Sequence, residues 1–587
     1  MAIDLTIKIA GEGGEGVISS GDFLMQAATK AGMEVTTFKS FPSEIKGGYA
    51  LSQLRISDET ILSHGDGFNI LVAFNGEAYE INKPLLTPGT AMVYDGPEGA
   101  DFEAGQHPGV HMYPVPMTKI SKEVLKLPIA KNMVAMGAVA ELFNVPMEQL
   151  NACIVDKFGA KGEKVVNGNL EAIKAGAEYV RNNLKKTDNF VFPAPKPQKD
   201  VIILEGNEAV ALGALMGGCE FYSLYPLTPA TSVGIYMQDN LIKTGGTFYQ
   251  AEDEIAALAN VIGGSFAGKK SMTTTSGPGM DLMSELLGLA IMSEIPLVLC
   301  DVQRGGPSTG MPTKHDQSDL FTAVYTSHGD APRIVMSAAD VSDCVYLTVD
   351  AFNLAEKYQT PVLLLSDASL SLRGEAIPTP DMSKIKIINR DIFTANGTTG
   401  EKHSRYADTP SGISPMFIPG TDTGGNTYAA TGLEHGEDSS PRTSIHVRNM
   451  MTEKRWRKFD NLEQDYYENF RPLEKSEGAD EEADLGIISW GLTQTMVKEA
   501  VYRLRKEGFK VTAIYPKLLW PMPAKSFDAY GAKCKKILVP EANYQGQLAD
   551  LLKMKTNIVP IKQTVYRGEP FIPQEIYDEA KRILTGK

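Results

Sequence analysis

The cysteine spacings that bind metals are missing from this chain. Its 587 residues hold five cysteines, Cys153, Cys219, Cys300, Cys344 and Cys534, with no C-x-x-C pair. That spacing supplies neither an iron–sulfur motif nor a zinc site. Scattered cysteines fit a reducing compartment. No apolar run is long enough to cross a bilayer. The opening MAIDLTIKIAGEGGEG carries Asp4 and reaches its glycine loop too soon for a secretory signal. Basic charge is short too: 57 Lys and Arg against 72 Asp and Glu leave a net charge of −15. That balance argues against a nucleic-acid partner. The expectation is a cytoplasmic enzyme with no membrane segment and no cluster of its own.

What is present is glycine, 55 residues of it, and short apolar runs that end in glycine and lead into helical patterns. Such a chain is α/β and, at this length, multidomain. Residues 1–187 read as a first unit: strand DLTIKIAG, a glycine loop, then the amphipathic VISSGDFLMQAATKAG. DNFVFPAPKPQKD, 188–200, has three prolines in five residues and reads as an extended linker. Residues 201–380 form a second α/β unit whose IPLVLCDVQ is nearly all apolar, as a buried parallel strand should be. Residues 381–475 read as a long excursion closed by a charged surface helix in MTEKRWRKFDNLEQDYYENF. The strands LGIISWG, VTAIYP and KKILVPEAN then mark a three-layer α/β domain over 476–587.

Several stretches carry chemistry. GEGGEG places Gly11, Gly13, Gly14 and Gly16 between a strand and a helix. The spacing suits close backbone approach to a phosphate, or simply a tight packing turn. Two acids, Glu12 and Glu15, oppose an anion there, and no ribose-binding acid stands about 20 residues on. FPSEIKGGYA offers Lys46 and a Gly-Gly pair to the same ligand. HGDGFN imitates the Mg²⁺-diphosphate motif of thiamine enzymes, but its asparagine comes too early. In LYPLTPATSVG, Thr228 reads as an N-cap with Pro229 at the first helical position, leaving a positive helix end outward. QAEDEIAA sets Glu252, Asp253 and Glu254 in the opening turn of a small-residue helix, more acid than a helix dipole asks for. QRGGPSTGMPTKHDQSDL puts Arg304 at the end of the buried strand, where ligands of open α/β sheets sit and an arginine grips carboxylates.

Together YPLTPAT, QAEDEIAA, TTTSGPGMDLMSE, QRGGPSTGMPTKHDQSDL, ISPMFIPG and VPEANYQGQL resemble the 2-oxoacid:ferredoxin oxidoreductases over nearly the whole chain. The likeness is nearest to 2-oxoglutarate:ferredoxin oxidoreductase alpha subunits with a gamma domain fused at the N-terminus. It implies a gamma-type domain that helps enclose coenzyme A, a domain like the pyrimidine-binding domain of thiamine-diphosphate enzymes, and a transketolase C-terminal-like domain. It also implies an α2β2 assembly in which a beta subunit holds the diphosphate, Mg²⁺ and a [4Fe–4S] cluster and passes electrons to ferredoxin.

The resemblance implies site residues as well. Glu254 would hydrogen-bond the aminopyrimidine of thiamine diphosphate, with Glu252 the alternative in the E-D-E register. Thr228 and Arg304 would bind the carboxylate and carbonyl of the 2-oxoacid. Lys314 and His315 are candidates for the distal carboxylate of 2-oxoglutarate. Gly11, Gly13, Gly14, Gly16 and Lys46 would lie near coenzyme A, although the family's loop usually carries Gln in the place of Glu15. The implied reaction converts 2-oxoglutarate and CoA to succinyl-CoA and CO₂, in either direction. Another 2-oxoacid, a nicotinamide-dependent oxidoreductase built on GEGGEG, and a non-catalytic CoA-binding scaffold are the alternatives.

Overall fold

A computed structural model describes residues 3–42, 47–96, 104–197, 200–397, 400 and 402–586. The chain divides into two compact units. The first comprises Met1–Glu205, Leu372–Pro380 and Ile572–Gln574, and the second the remainder.

The first unit is built on one eight-stranded sheet. DLTIKIAG becomes the strand Asp4–Glu12, buried along its middle. It pairs antiparallel with Tyr49–Ser57 and parallel with Ile70–Ala73. The helix Val17–Lys30 follows and buries Phe23, Leu24, Ala27 and Ala28. The expected linker and the boundary at Val201 require correction. Phe192 N–H donates to the carbonyl of Phe143 at 2.8 Å, and Asp188 is buried in contact with Tyr113. Strands Val201–Glu205 and Gly374–Pro378 then complete this sheet, antiparallel to each other. The reason is partly ionic: Lys39, buried in the sheet, lies 2.7 Å from Asp22 and 2.5 Å from Glu205. A buried lysine needs those carboxylates close by, and one of them comes from beyond the proline run.

The second unit carries two sheets. Seven strands run in the order Leu518–Trp520, Ile334–Ser337, Pro361–Asp367, Leu297–Gln303, Ser271–Thr275, Phe221–Leu224 and Thr247–Gln250. All neighbours are parallel except the first pair. Leu297–Gln303 is buried throughout and sits in the middle, as its apolar run requires. Its end delivers Asp301, Gln303 and Arg304 to the carboxyl edge of the sheet. The other sheet has five strands, parallel apart from the two-residue Glu474–Lys475. Gln317 ties the segment after Arg304 to this sheet. Its side chain donates to Trp490 O (3.0 Å) and accepts from Thr493 Oγ1 (2.6 Å) and Ala542 N–H (3.1 Å). A buried amide with this many partners is a fixed strut.

The charged helix near 450 has an exposed side, as a surface helix should, but it also buries cations. Ile445–Arg457 and the residue after it bury Lys454, Arg455 and Lys458. Glu294 is the cause: its carboxylate lies 2.8 Å from Lys454 Nζ and 2.6 Å from Lys458 Nζ. Burial alone would raise the Glu294 carboxyl, but Lys458, Lys454 and Arg405 hold it far below the usual carboxylate range. Lys454 and Lys458, which read as solvated, are thus spent on one buried acid, while Arg455 pairs with Glu434 at 2.9 Å. No helix among the described residues is long and apolar enough to cross a membrane.

Candidate active site

Thr228 does not cap a helix. After strand Phe221–Leu224 the next helix is Thr231–Asn240, preceded by Ala230, with no side-chain cap. The Thr228–Pro229 peptide is cis, and Pro229 lies two residues before the helix. Asn207 braces the segment instead, donating to Pro229 O and Ser232 Oγ, both at 2.8 Å. Thr228 is left exposed at the strand end, and its backbone carbonyl accepts from Arg304 Nη1 at 2.6 Å. The two residues singled out from different motifs therefore meet.

The acid run QAEDE separates into three roles. Asp253 is the N-cap, its side chain accepting from Ala256 N–H at 2.7 Å. Glu252 is exposed, whereas Glu254, the first helical residue, is buried. Its carboxylate is near enough to Arg304 to act on the guanidinium charge. Gly279, from TSGPGMD, makes room for it. A Cβ on Gly279 would lie 2.1 Å from Thr275 Oγ1 and 2.8 Å from Glu254 Cγ. Gly279→Ala should therefore push Glu254 out of place. The expected result is at least a tenfold loss of activity, about 1.4 kcal/mol, with the fold retained by circular dichroism.

Arg304 is buried at the strand end. One arm of its guanidinium is spent on Thr228 O, while Nε is buried without a partner among the described residues. Burial draws the guanidinium below its ordinary value, and Asp319, Asp301 and Glu254 oppose that. Arg304 lines a cavity of about 480 Å³ with Gly277, Asp281, Asp316, Asp319 and Asn543. Three separated motifs thus converge on one site, and its size suits a small molecule.

The remaining candidates behave differently. His315 is buried, its Nδ1 2.9 Å from Asp367 Oδ1, so it faces a carboxylate of its own chain. Lys314 is half-buried on the same turn, its carbonyl accepting from Gly305 N–H at 3.1 Å. Lys46 lies outside the described residues.

In the first unit, the glycine loop is filled by its own acid. The Glu15 carboxylate accepts from Glu12 N–H and Asn75 Nδ2, both at 2.8 Å, and pairs with Lys131 Nζ at 3.1 Å. A Cβ on Gly13 would meet Gly47 O at 2.9 Å, and one on Gly16 would meet Asn132 Nδ2 at 2.5 Å. Gly13 also donates to Gly48 O at 3.0 Å. The close approach these glycines permit is to protein, and the loop does not fit a phosphate as it stands. Gly11 likewise packs against Glu15 and Val17, whereas Gly14 is open, with φ +101°.

Comparison with known proteins decides the family. Residues 6–179 match the model described as pyruvate ferredoxin/flavodoxin oxidoreductase. Residues 212–453 match its thiamine-diphosphate-binding domain, and residues 483–568 its core domain II. The chain is 30% identical to 2-oxoacid:ferredoxin oxidoreductase 2, subunit alpha, of Aeropyrum pernix, over 100% of this chain and 98% of that one. It is also 30% identical to 2-oxoglutarate oxidoreductase subunit KorA of Mycobacterium tuberculosis, over 100% and 92%. The chain belongs to the 2-oxoacid:ferredoxin oxidoreductase family. Among solved structures, this family member is similar to the 2-oxoglutarate:ferredoxin oxidoreductase of Magnetococcus marinus with 2-oxoglutarate, coenzyme A and succinyl-CoA bound. There the TM-score is 0.94 and identity 52%, over 99% of both chains.

Two aspartates beside Arg304, the buried Asp301 and the half-buried Asp319, escaped the sequence reading. Asp301 had a signal, an acid inside an otherwise apolar parallel strand. Asp319 had none, because QSDL reads as an ordinary turn before a helix.

Proposed function

We propose that this chain is the alpha subunit, with a fused gamma domain, of a 2-oxoglutarate:ferredoxin oxidoreductase. The reaction joins 2-oxoglutarate and CoA to give succinyl-CoA and CO₂, and two electrons pass to ferredoxin. The reverse carboxylation is the same chemistry under a different driving force. The observation that carries the reading is the buried, unsatisfied Nε edge of Arg304 beside the exposed Thr228. A guanidinium held by one arm offers its other edge as a preformed fork for a carboxylate. Thr228, at the strand end, supplies a hydroxyl for the neighbouring carbonyl oxygen. The choice of 2-oxoglutarate over pyruvate or a branched-chain acid rests on the likeness to the Magnetococcus marinus enzyme and its bound 2-oxoglutarate.

Thiamine diphosphate, when bound, supplies the electron sink that decarboxylation of a 2-oxoacid needs. Glu254 fits its aminopyrimidine: a carboxylate on a buried first helical residue, at a spot that Gly279 leaves open. Its role is to hold a proton on that ring. Coenzyme A is assigned to the complex as the acyl acceptor. The Glu15-filled loop is assigned to packing, and no phosphate contact is given to it. His315 is assigned to positioning, through Asp367, and Lys314 remains the candidate on this chain for the distal carboxylate.

A beta subunit completes the reading by holding Mg²⁺, the diphosphate and a [4Fe–4S] cluster. The chain expressed by itself should therefore be colourless, iron-free and inactive. Absorbance near 400 nm, iron content and 2-oxoglutarate-dependent viologen reduction test this with and without the co-expressed partner. Stoichiometric iron in the chain alone would sink the subunit assignment.

A further inference from the structure

Four aspartates stand around the Arg304 guanidinium. Asp281 and Asp316 line the cavity with Arg304, and so does Asp319. Asp301, fully buried, stands behind them and meets Asp319 carboxyl to carboxyl. Both oxygens of Asp301 and Oδ2 of Asp319 are buried and have no hydrogen-bond donor among the described residues. Two neighbouring donors are committed elsewhere, and Arg304 Nε, though without a partner, makes no hydrogen bond to either carboxyl. The Asp319 N–H goes to Gln303 Oε1 at 3.1 Å, and Arg304 Nη1 goes to Thr228 O at 2.6 Å. The Asp319 carboxyl is also confined, since a Cβ on Gly277 would lie 2.8 Å from its Oδ2. Two carboxylates cannot both stay ionised in contact and out of water. A proton between them satisfies one orphaned oxygen on each carboxyl at once.

We propose that Asp301 and Asp319 share one proton at neutral pH, and that this proton sets the charge of the Arg304 site so that a 2-oxoacid anion can enter. The inference rests on the reading of Arg304 as the carboxylate clamp. With the proton, the four aspartates carry three negative charges, and without it four, in addition to the Glu254 carboxylate that also acts on Arg304. The substrate brings its own negative charge next to them. The charged groups facing the pair are Asp281 from the helix Gly277–Leu282, Asp316 from the same loop and Arg304 from the strand end, with Cys300 beside Asp301. Burial raises both carboxyls, and that of Asp319 reaches about 7 with Asp316 and Asp281 adding to the rise. Arg304 opposes the rise in both. Asp301 and Asp319 are thus positioning residues that act through the field at Arg304 and through its orientation.

The sign of the pH effect follows. A carboxyl raised in the folded state contributes stability that is present below its unfolded value, near 4. That contribution is lost as pH climbs through the folded value, about 7 for Asp319. The melting temperature should therefore decline from about pH 4 to about pH 7 on account of this pair, and less steeply in Asp301→Asn.

The test uses Asp301→Asn and, should that variant fold poorly, Asp319→Asn. Either removes one carboxyl and supplies an amide donor to the other. The first measurement is an infrared difference spectrum, wild type minus variant, of the full chain at neutral pH. A protonated-carboxyl carbonyl band carried by the wild type and missing from the variant is expected. The difference is needed because burial also raises other acids, Asp350 and Glu541 among them. The second measurement is KM for 2-oxoglutarate in the complex. It should rise by up to about tenfold per pH unit above about 7 in wild type, the limit for a single ionisation, and stay flat in the variant. No difference band, or a wild-type KM that is flat with pH, overturns the proposal. Failure of the clamp reading is a separate result, an unchanged KM in Arg304→Lys, and leaves the infrared band unaffected.

Discussion

Glu254→Gln in the assembled enzyme should slow exchange of the thiamine C2 proton by a factor of about 10² or more, the range for a positioned proton-transfer group. Glutamine keeps the volume of the side chain and one acceptor oxygen, so the cofactor should still bind. What it cannot do is hold the aminopyrimidine proton as a carboxylate does. The helix itself is protected in this variant, because its cap is Asp253 and not Glu254. Loss of one negative charge at the first helical position costs about 0.3–1 kcal/mol, a modest shift in melting temperature. Glu252→Gln is the matched control. Glu252 is exposed, so its neutralisation should leave exchange at the wild-type rate. Exchange measured by deuterium incorporation in the two variants decides between the two acids of the E-D-E run. If Glu252→Gln is slow and Glu254→Gln is normal, the assignment is off by two residues.

That Glu254 can be separated from its neighbours shows where the sequence was legible. Periodicity and apolar runs located the strands that matter, and Leu297–Gln303 is buried and parallel on both sides, as its composition required. Charge was read less well, because a sequence does not show which acid a cation will find. The basic run of Ile445–Arg457 looked solvated until Glu294, some 160 positions away in the chain, took Lys454 and Lys458 into the interior. Lys39 made the same demand in the first unit. Its partner Glu205 lies beyond the proline run that read as a linker, and the sheet follows it there. Local rules for Thr228 failed for a backbone reason. They placed Pro229 inside a helix that begins two residues later, where Asn207 braces the segment by donating to Pro229 O and Ser232 Oγ. The glycines of GEGGEG marked a close approach correctly, but the pattern does not say to what. Glu15, already conspicuous as an acid in an anion loop, turns out to fill it.

Arg304→Lys should raise KM for 2-oxoglutarate by roughly 10- to 100-fold and leave thiamine binding unchanged. A charge-assisted contact is worth about 1.5–3 kcal/mol, and about 1.4 kcal/mol is a decade. The arginine does two things at once. Nη1 is anchored on Thr228 O at 2.6 Å, and the rest of the guanidinium, whose Nε has no partner among the described residues, is left for the ligand. A lysine has one nitrogen and no fork, so it must choose between anchor and substrate. Burial, which already draws the arginine below its ordinary value, acts more severely on an amine, whose charge is easily lost. Thr228→Ala should do less. The anchor for Arg304 is the backbone carbonyl of Thr228, which alanine retains, and no helix cap is lost because none is there. Thr228→Val, at similar volume, should match alanine if the hydroxyl bonds the substrate. Steady-state kinetics at fixed pH, with melting temperatures alongside, separates these effects. If Arg304→Lys melts early and keeps the wild-type KM, the guanidinium is a strut between strand ends and the carboxylate is bound elsewhere.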